Sequence, residues 1–208
     1  VNTLIHIYVY EVAAASSREA YTLLFPYMEV PWLILHGEGL GALTVLTSGF
    51  LHGGWWHLAG NMFFLWFFGR KVEDATGPVR FVLFYLFCLT TSSFLSVFSR
   101  SFLTVFPYDE MIPGLGASGA ILGVMAAYLF LYGDQRILTL ILPVPWPFWI
   151  PAWIYIAREL LVNALLGELV QAGEIFVTVG VFAHLGGALG GLLFIYLFMH
   201  PEVFAGRR

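Results

Sequence analysis

Hydrophobic and polar positions alternate along this chain in long blocks, not in the short periods of a soluble helix or strand. Apolar runs predict helices over residues 2–15, 55–69, 81–98, 118–132, 151–166 and 176–199. Most of these runs approach the roughly 20 residues that a helix needs to cross a hydrocarbon core about 30 Å thick. We therefore expect an all-α, polytopic membrane protein: one domain of six transmembrane helices over residues 1–208. It stays open whether the short first helix has lost part of its N-terminus.

The segments between these runs differ in character. Residues 16–54 contain prolines and glycines but are too hydrophobic for a solvated loop, so we expect them to lie in the membrane interface. The charges of residues 70–74 are expected to end the second helix. Residues 99–115 form a mixed loop, and a short loop over residues 167–174 precedes the sixth helix. Three prolines in residues 137–150 disfavour a helix and predict a broken re-entrant or interfacial segment.

Composition supports a membrane location and narrows the possible ligands. The 208 residues are 60% hydrophobic, with a mean hydropathy of +0.84. The net charge of -4 says little about partners, and nothing suggests nucleic-acid binding; the apolar runs make the lipid bilayer the expected surroundings. The single Cys88 excludes an intramolecular disulfide and a cysteine metal site. No His, Asp or Glu cluster has ligand-like spacing, so we expect no metal and no cofactor.

The basic residues predict an orientation. With six spans and an internal N-terminus, most of them fall on the inner side, and Arg18 and Arg100 fall on the outer side. The inner ones are Arg70, Lys71, Arg80, Arg136, Arg207 and Arg208. Both termini are then cytoplasmic, and the second, fourth and sixth helices begin on the extracytoplasmic side. The compact chain favours a bacterial inner membrane.

The stretch Gly116-Ala117-Ser118-Gly119 opens the fourth helix. A serine there is flanked by small residues and lies beside the unpaired N–H groups of a helix N-terminus. An oxyanion formed next to Ser118 would find donors waiting. The same motif is also typical of close helix packing, so it is not specific by itself.

Other polar side chains are expected at the same depth. His57 and Asn61 are four residues apart and share one face of the second helix, and His184 lies in the outer half of the sixth. Polar residues within membrane spans are costly and usually functional. Each could instead serve only a hydrogen bond between helices or core packing. Their shared depth with Ser118 favours a common site.

Two pairs of glycines allow the fourth and sixth helices to approach closely. Gly119 and Gly123 lie on one, and Gly187 and Gly191 on the other. Small residues at this spacing form a narrow seam between membrane helices. We expect this seam to bring His184 within reach of Ser118, at the start of the fourth helix.

The sequence closely resembles the rhomboid family of intramembrane serine proteases from residue 47 to residue 198. The resemblance is carried by residues 47–57 with Asn61, by residues 116–119, and by Ala183-His184 with the two glycines that follow. It implies that Ser118 is the nucleophile and His184 the general base, without an acidic third member. It also implies an oxyanion hole made of His57, Asn61 and the Ser118 backbone N–H.

The same resemblance implies the substrates: membrane proteins whose transmembrane segments are cut near their extracytoplasmic end. A proteolytically inactive rhomboid-like protein that binds transmembrane helices, for trafficking or quality control, is the alternative. A transporter would predict inverted repeats or paired broken helices, and no internal repeat is found.

The fifth helix is a candidate gate for substrates. A proline-rich segment precedes it and a short loop follows it, so we expect it to be loosely tied.

This sequence departs from many rhomboids at two places. Leu43-Thr44 stands where a Trp-Arg pair is common in the first outer loop, and Leu122 stands where an aromatic residue often stacks on the histidine. His52 is expected to support the site or the fold. Arg158 and Glu159 are adjacent, so they should point in different directions, and we expect them to have a structural role without pairing with each other.

Overall fold

The computed structural model describes residues 1–13, 16–103, 109–139, 146–170 and 178–205. Within them the chain is mostly helical. The first half holds short helices: α1 (Asn2–Ile7), which continues as a π-helix (Tyr8–Ala13), α2 (Ser17–Leu24), α3 (Pro31–His36) and α4 (Thr44–Thr47). Five longer helices follow: α5 (Trp55–Thr76), α6 (Pro78–Phe98), α7 (Ser118–Tyr132), α8 (Ala152–Val170) and α9 (Thr178–Phe198), and then the short α10 (Pro201–Ala205).

Helix α5 is longer than its apolar run. The expectation that residues 70–74 end this helix is wrong, because the helix continues through them to Thr76 and stops at Gly77, where φ is +79°. Arginine, lysine and glutamate, which make up most of these charges, are good helix formers. Nζ of Lys71 lies 3.9 Å from Oδ2 of Asp74, one turn further along the helix, and both side chains are exposed. Hydropathy therefore marks the apolar part of the helix, whereas glycine marks its end.

The segment between α7 and α8 corrects the all-helical expectation. Strand β1 (Arg136–Thr139) pairs antiparallel with β2 (Phe148–Pro151), with Arg136 opposite Pro151 and Thr139 opposite Phe148. The branched and aromatic residues of the two strands suit this extended conformation. Residues 140–145 of the predicted re-entrant segment lie outside the described residues.

Residues 16–54 are not an extended loop. Besides α2, α3 and α4, they form three short 3₁₀ turns: Phe25–Tyr27, Gly41–Leu43 and Ser48–Phe50. Between the first turn and α3, Glu29 makes a two-hydrogen-bond bridge to Gly114. This long connection is thus joined to the segment that leads into α7.

Helix α7 is the centre of the bundle. Every residue from Gly119 to Tyr128 is buried, as expected for a helix that is apolar on all sides. Helices α5, α6, α8 and α9 pack around it, and α6 and α9 also pack along each other. Among the described residues, the helices at Pro78–Leu103 and Gly180–Phe198 are long and apolar enough to cross a membrane. Helix α7 is equally apolar but shorter.

Candidate active site

Ser118 is the first residue of α7, and the backbone before it turns sharply. Gly116 has φ of +123°, a conformation that favours glycine, and its N–H donates to the carbonyl of Ser48 (3.0 Å). A Cβ on Gly116 would lie 2.9 Å from Cε1 of His57. Glycine is therefore required twice at this position, for its backbone angle and for the imidazole beside it.

His184, on α9, lies beside Ser118. Its Nε2 is 2.7 Å from Oγ of Ser118, although 66 residues separate them. Nδ1 of His184 has no hydrogen-bond partner among the described residues. Within the same part of the chain no aromatic ring packs on this imidazole, and Leu122 is buried in the core. A hydroxyl and an imidazole in this contact can exchange a proton, which is what activation of a serine requires.

The four glycines of the predicted seam lie against each other. A Cβ on Gly187 would collide with the carbonyl group of Gly119, and one on Gly191 would lie 2.6 Å from Cα of Gly123. Conversely, a Cβ on Gly123 would lie 2.7 Å from the Gly187 carbonyl oxygen. The backbones of α7 and α9 therefore touch directly, and this approach sets the distance between Ser118 and His184.

His57 and Asn61 project from the first two turns of α5. His57 lines the same cavity as Ser118 and His184. Asn61 is buried, 7% exposed, and its Nδ2 has no hydrogen-bond partner among the described residues. It is not among the described residues that line the cavity. A buried amide without a hydrogen-bond partner is unusual, because buried polar groups in proteins are nearly always hydrogen-bonded.

His52 lies just before α5 and is almost fully buried, at 1% exposed. Its ring meets that of His57 edge to face, with centroids 5.1 Å apart. Burial first, and then the neighbouring His57 and His6, lower the pKa of His52 from 6.5 to about 4. His52 is therefore neutral at physiological pH, and its ring packs against that of His57.

The expectation for Arg158 and Glu159 is wrong in one respect. The two adjacent side chains of α8 form an ion pair with each other. Long side chains can bend toward each other although their Cα–Cβ bonds diverge.

At the Leu43-Thr44 position, contacts are local. Leu43 is exposed, and the buried Thr44 hydroxyl donates to the Gly41 carbonyl (2.7 Å).

A cavity of about 850 Å³ lies beside Ser118, His184 and His57. Ser118, His184, His57 and Gly116 line it together with Ser92 and Ser96 of α6. Its walls are mainly apolar. Among the described residues, no three His, Cys, Asp or Glu side chains are grouped as a metal ion would require.

The sequence analysis missed one polar pair near this cavity. Glu29 and Arg100 form a buried ion pair that also involves Ser96. Each is a solitary charge in an apolar setting, Met28-Glu29-Val30 and Phe98-Ser99-Arg100, and the two have opposite signs. That combination could have suggested a pair, although 71 positions separate them.

The fold and the site define a helical membrane protein with a serine and a histidine in contact at the end of its central helix. The Rhomboid domain family matches residues 41–201, which is most of the chain. The chain belongs to the rhomboid family.

Curated relatives come from mitochondria, chloroplasts and bacteria. "Rhomboid protein 1, mitochondrial" of Saccharomyces cerevisiae is 30% identical over 152 residues, covering 73% of this chain and 40% of that protein. "Rhomboid-like protein 11, chloroplastic" of Arabidopsis thaliana is 30% identical over 155 residues, covering 73% and 51%. "Rhomboid protease GluP" of Bacillus subtilis is 33% identical over 162 residues, covering 76% and 26%. The chain thus spans about half or less of each of these relatives.

Proposed function

We propose that this protein is an intramembrane serine endopeptidase that uses a Ser118–His184 dyad. The observation that carries the proposal is the 2.7 Å contact between Oγ of Ser118 and Nε2 of His184 at the wall of a cavity. Family membership supports it, because a relative at 33% identity is named a rhomboid protease. The dyad needs neither metal nor cofactor.

The first chemical step is attack by the serine. With Nδ1 protonated and Nε2 free, His184 accepts the hydroxyl proton as Oγ bonds to the scissile carbonyl carbon. The carbonyl oxygen then carries the negative charge of a tetrahedral intermediate. When this intermediate collapses, the carbon–nitrogen bond breaks, and the imidazolium gives its proton to the leaving amine.

The oxyanion is assigned to three donors: the backbone N–H of Ser118, the side chain of His57 and the amide of Asn61. The unpaired Nδ2 of Asn61 and the position of His57 on the cavity support this assignment. Donors in a water-poor site stabilise developing charge more than donors in bulk water do. A water molecule then attacks the acyl-enzyme with His184 as base, which restores the serine.

The proposed substrates are membrane proteins with a transmembrane helix, cut near its extracytoplasmic end. A helix uses its carbonyls in internal hydrogen bonds, so the substrate must unwind locally before attack. We place the site on that side in a six-span topology with both termini cytoplasmic, in a bacterial inner membrane. Reporter fusions to each loop test the topology.

Helix α8 is the proposed gate. Among the described residues, α8 packs on the central helix α7 less extensively than α5, α6 and α9 do, so it is the helix that can separate from the bundle most easily. Cross-linking of α8 to α5 should prevent cleavage of transmembrane substrates. Full cleavage by the cross-linked protein would rule out this gate.

The function is tested by cleavage of a reporter transmembrane substrate in liposomes, together with labelling by a fluorophosphonate. Wild type should do both, and Ser118→Ala and His184→Ala should do neither. Thr90→Val is a matched control, since that exposed hydroxyl bonds only within its own helix. Cleavage by Ser118→Ala would contradict the proposal. A folded wild type that neither labels nor cleaves would favour the alternative, an inactive protein that binds transmembrane helices.

A further inference from the structure

Glu29 and Arg100 are joined in the interior, close to the cavity but away from the dyad. The guanidinium of Arg100 donates to Oε1 of Glu29, and their side chains are 5% and 6% exposed. The hydroxyl of Ser96 donates to the same oxygen (2.8 Å) and accepts from Arg100 (3.1 Å). Glu29 belongs to the connection before α3, and Arg100 to the π-helical extension of α6 (Ser99–Leu103).

The same two residues also hold the segment that leads into Ser118. The N–H of Glu29 donates to the carbonyl of Gly114 (2.9 Å), and the N–H of Gly114 donates back to the carbonyl of Glu29 (2.7 Å). A second nitrogen of Arg100 donates to the carbonyl of Ile112. Residues 112–114 are thus attached to one member of the ion pair by the backbone and to the other by a side chain.

This attachment lies directly before the site. Gly116, two residues after Gly114, is bonded to Ser48 and lies against His57. Glu29 and Ser96 line the same cavity as Ser118 and His184. A displacement of residues 112–114 would therefore move both the first residue of α7 and the backbone that faces His57.

Stability alone is a weak explanation for such a pair. A buried ion pair loses its hydration, and a well-packed apolar pair of similar volume is often as stable. An arginine, however, presents several donors in one rigid plane and can fix a carboxylate and a carbonyl at once. That geometry suits the task of holding three separate chain segments in register.

We propose that Glu29 and Arg100 are positioning residues that set the placement of Ser118 through residues 112–116; this inference rests on the protease function proposed above. Neither residue touches the dyad. They act by fixing the segment that carries the nucleophile.

Steady-state cleavage of the reporter substrate tests the inference in three variants. Glu29→Gln should lower kcat by up to about 100-fold, since small displacements of reacting groups have effects of that order. KM should change little, because the glutamine has the shape of the glutamate that it replaces on the cavity wall. The lysine of Arg100→Lys keeps the charge but cannot reach both Glu29 and Ile112. Its kcat should therefore lie between those of wild type and Glu29→Gln.

The double variant Glu29→Gln/Arg100→Met separates positioning from stability. It leaves no lone buried charge, so its melting temperature should return toward that of wild type while kcat stays low. Recovery of the wild-type kcat in the double variant would overturn the inference. The inference would also be overturned if the unfolded fraction of the single variants fully accounted for their loss of kcat. Asp74→Asn, which removes the carboxylate of an exposed ion pair, is the control for loss of charge.

Hydrogen exchange gives a readout that does not depend on proteolysis. The amides of Gly114 and Gly116 should exchange faster in Glu29→Gln than in the control, in a Ser118→Ala background. Unchanged exchange at both amides would refute the inference even if the protein is a protease. Faster exchange in a protein whose wild type neither labels nor cleaves would instead refute the proposed function and leave the attachment of residues 112–116 established.

Discussion

Oγ of Ser118 and Nε2 of His184 lie 2.7 Å apart, on two helices whose backbones touch through glycines. Both residues lie near the same end of the α7–α9 contact, where Gly119 meets Gly187. The position of the imidazole relative to the hydroxyl is therefore determined by how closely the two helices pack. The contact between these two groups therefore depends on packing along the seam.

We predict that Gly187→Ala impairs both folding and cleavage. The added methyl group would collide with the Gly119 carbonyl, so the helices must separate. Overpacking of this kind costs about 1–3 kcal/mol and would lengthen the Ser118–His184 contact. Melting temperature in detergent and the rate of fluorophosphonate labelling measure the two effects.

Gly60→Ala is the matched control for that variant. Gly60 is also a helical glycine, but a Cβ there meets nothing within 4 Å. Alanine should leave labelling unchanged and increase stability by up to about 1 kcal/mol through helix propensity. Equal losses in both variants would show that the seam is not the cause.

Gly116→Ala is expected to abolish most of the activity. Its Cβ would approach the His57 ring at 2.9 Å, and its φ of +123° is strained for alanine. Gly37→Ala is the control for a glycine with positive φ and open space around it; its φ of +67° lies in the left-handed region, where alanine is less strained than at +123°. Cleavage should fall strongly in the first variant and remain in the second. Similar cleavage by both would contradict the steric explanation.

Loss of the Asn61 amide should slow the chemical step. In the proposed mechanism Asn61→Ala removes one oxyanion donor, which costs about 100- to 1,000-fold in kcat. Asn61→Asp keeps the shape but removes the N–H donors, so it should be similarly slow. Single-turnover kinetics with the reporter substrate measure this step. A wild-type rate in Asn61→Asp would exclude Asn61 from the oxyanion hole.

Acid should destabilise the protein partly through His52. Its folded pKa of about 4 lies below its ordinary value of 6.5, so between these values the unfolded chain binds a proton that the folded protein does not. The free energy of unfolding should therefore decrease as pH falls from 6.5 toward 4, by at most about 1.4 kcal/mol per unit. Above pH 6.5 His52 contributes no pH dependence.

Melting temperature as a function of pH checks this prediction. His52→Gln should make the curve flatter between pH 6.5 and 4 than that of wild type. Thr90→Val, which removes no titratable group, serves as the control and should leave the slope of the curve unchanged. An unchanged slope in His52→Gln would show that this imidazole is not buried in its neutral form.

The residues of the site could be named from the sequence because polar side chains in apolar runs are few. Ser118, His57, Asn61 and His184 stand out for that reason, and the family match is consistent with the rhomboid resemblance. Their catalytic roles remain predictions. Arg158 and Glu159 stand out in the same way, but sequence spacing did not predict that they pair.

Local sequence determined where the long apolar helices lie and where the serine stands, because apolar length and glycines act over a few residues. Only the tertiary structure decided which distant groups meet. The pairing of Glu29 with Arg100, the bridge from Glu29 to Gly114 and the contact between Gly119 and Gly187 depend on how helices and loops pack. Such contacts join residues far apart in the chain, and no local pattern specifies their partners.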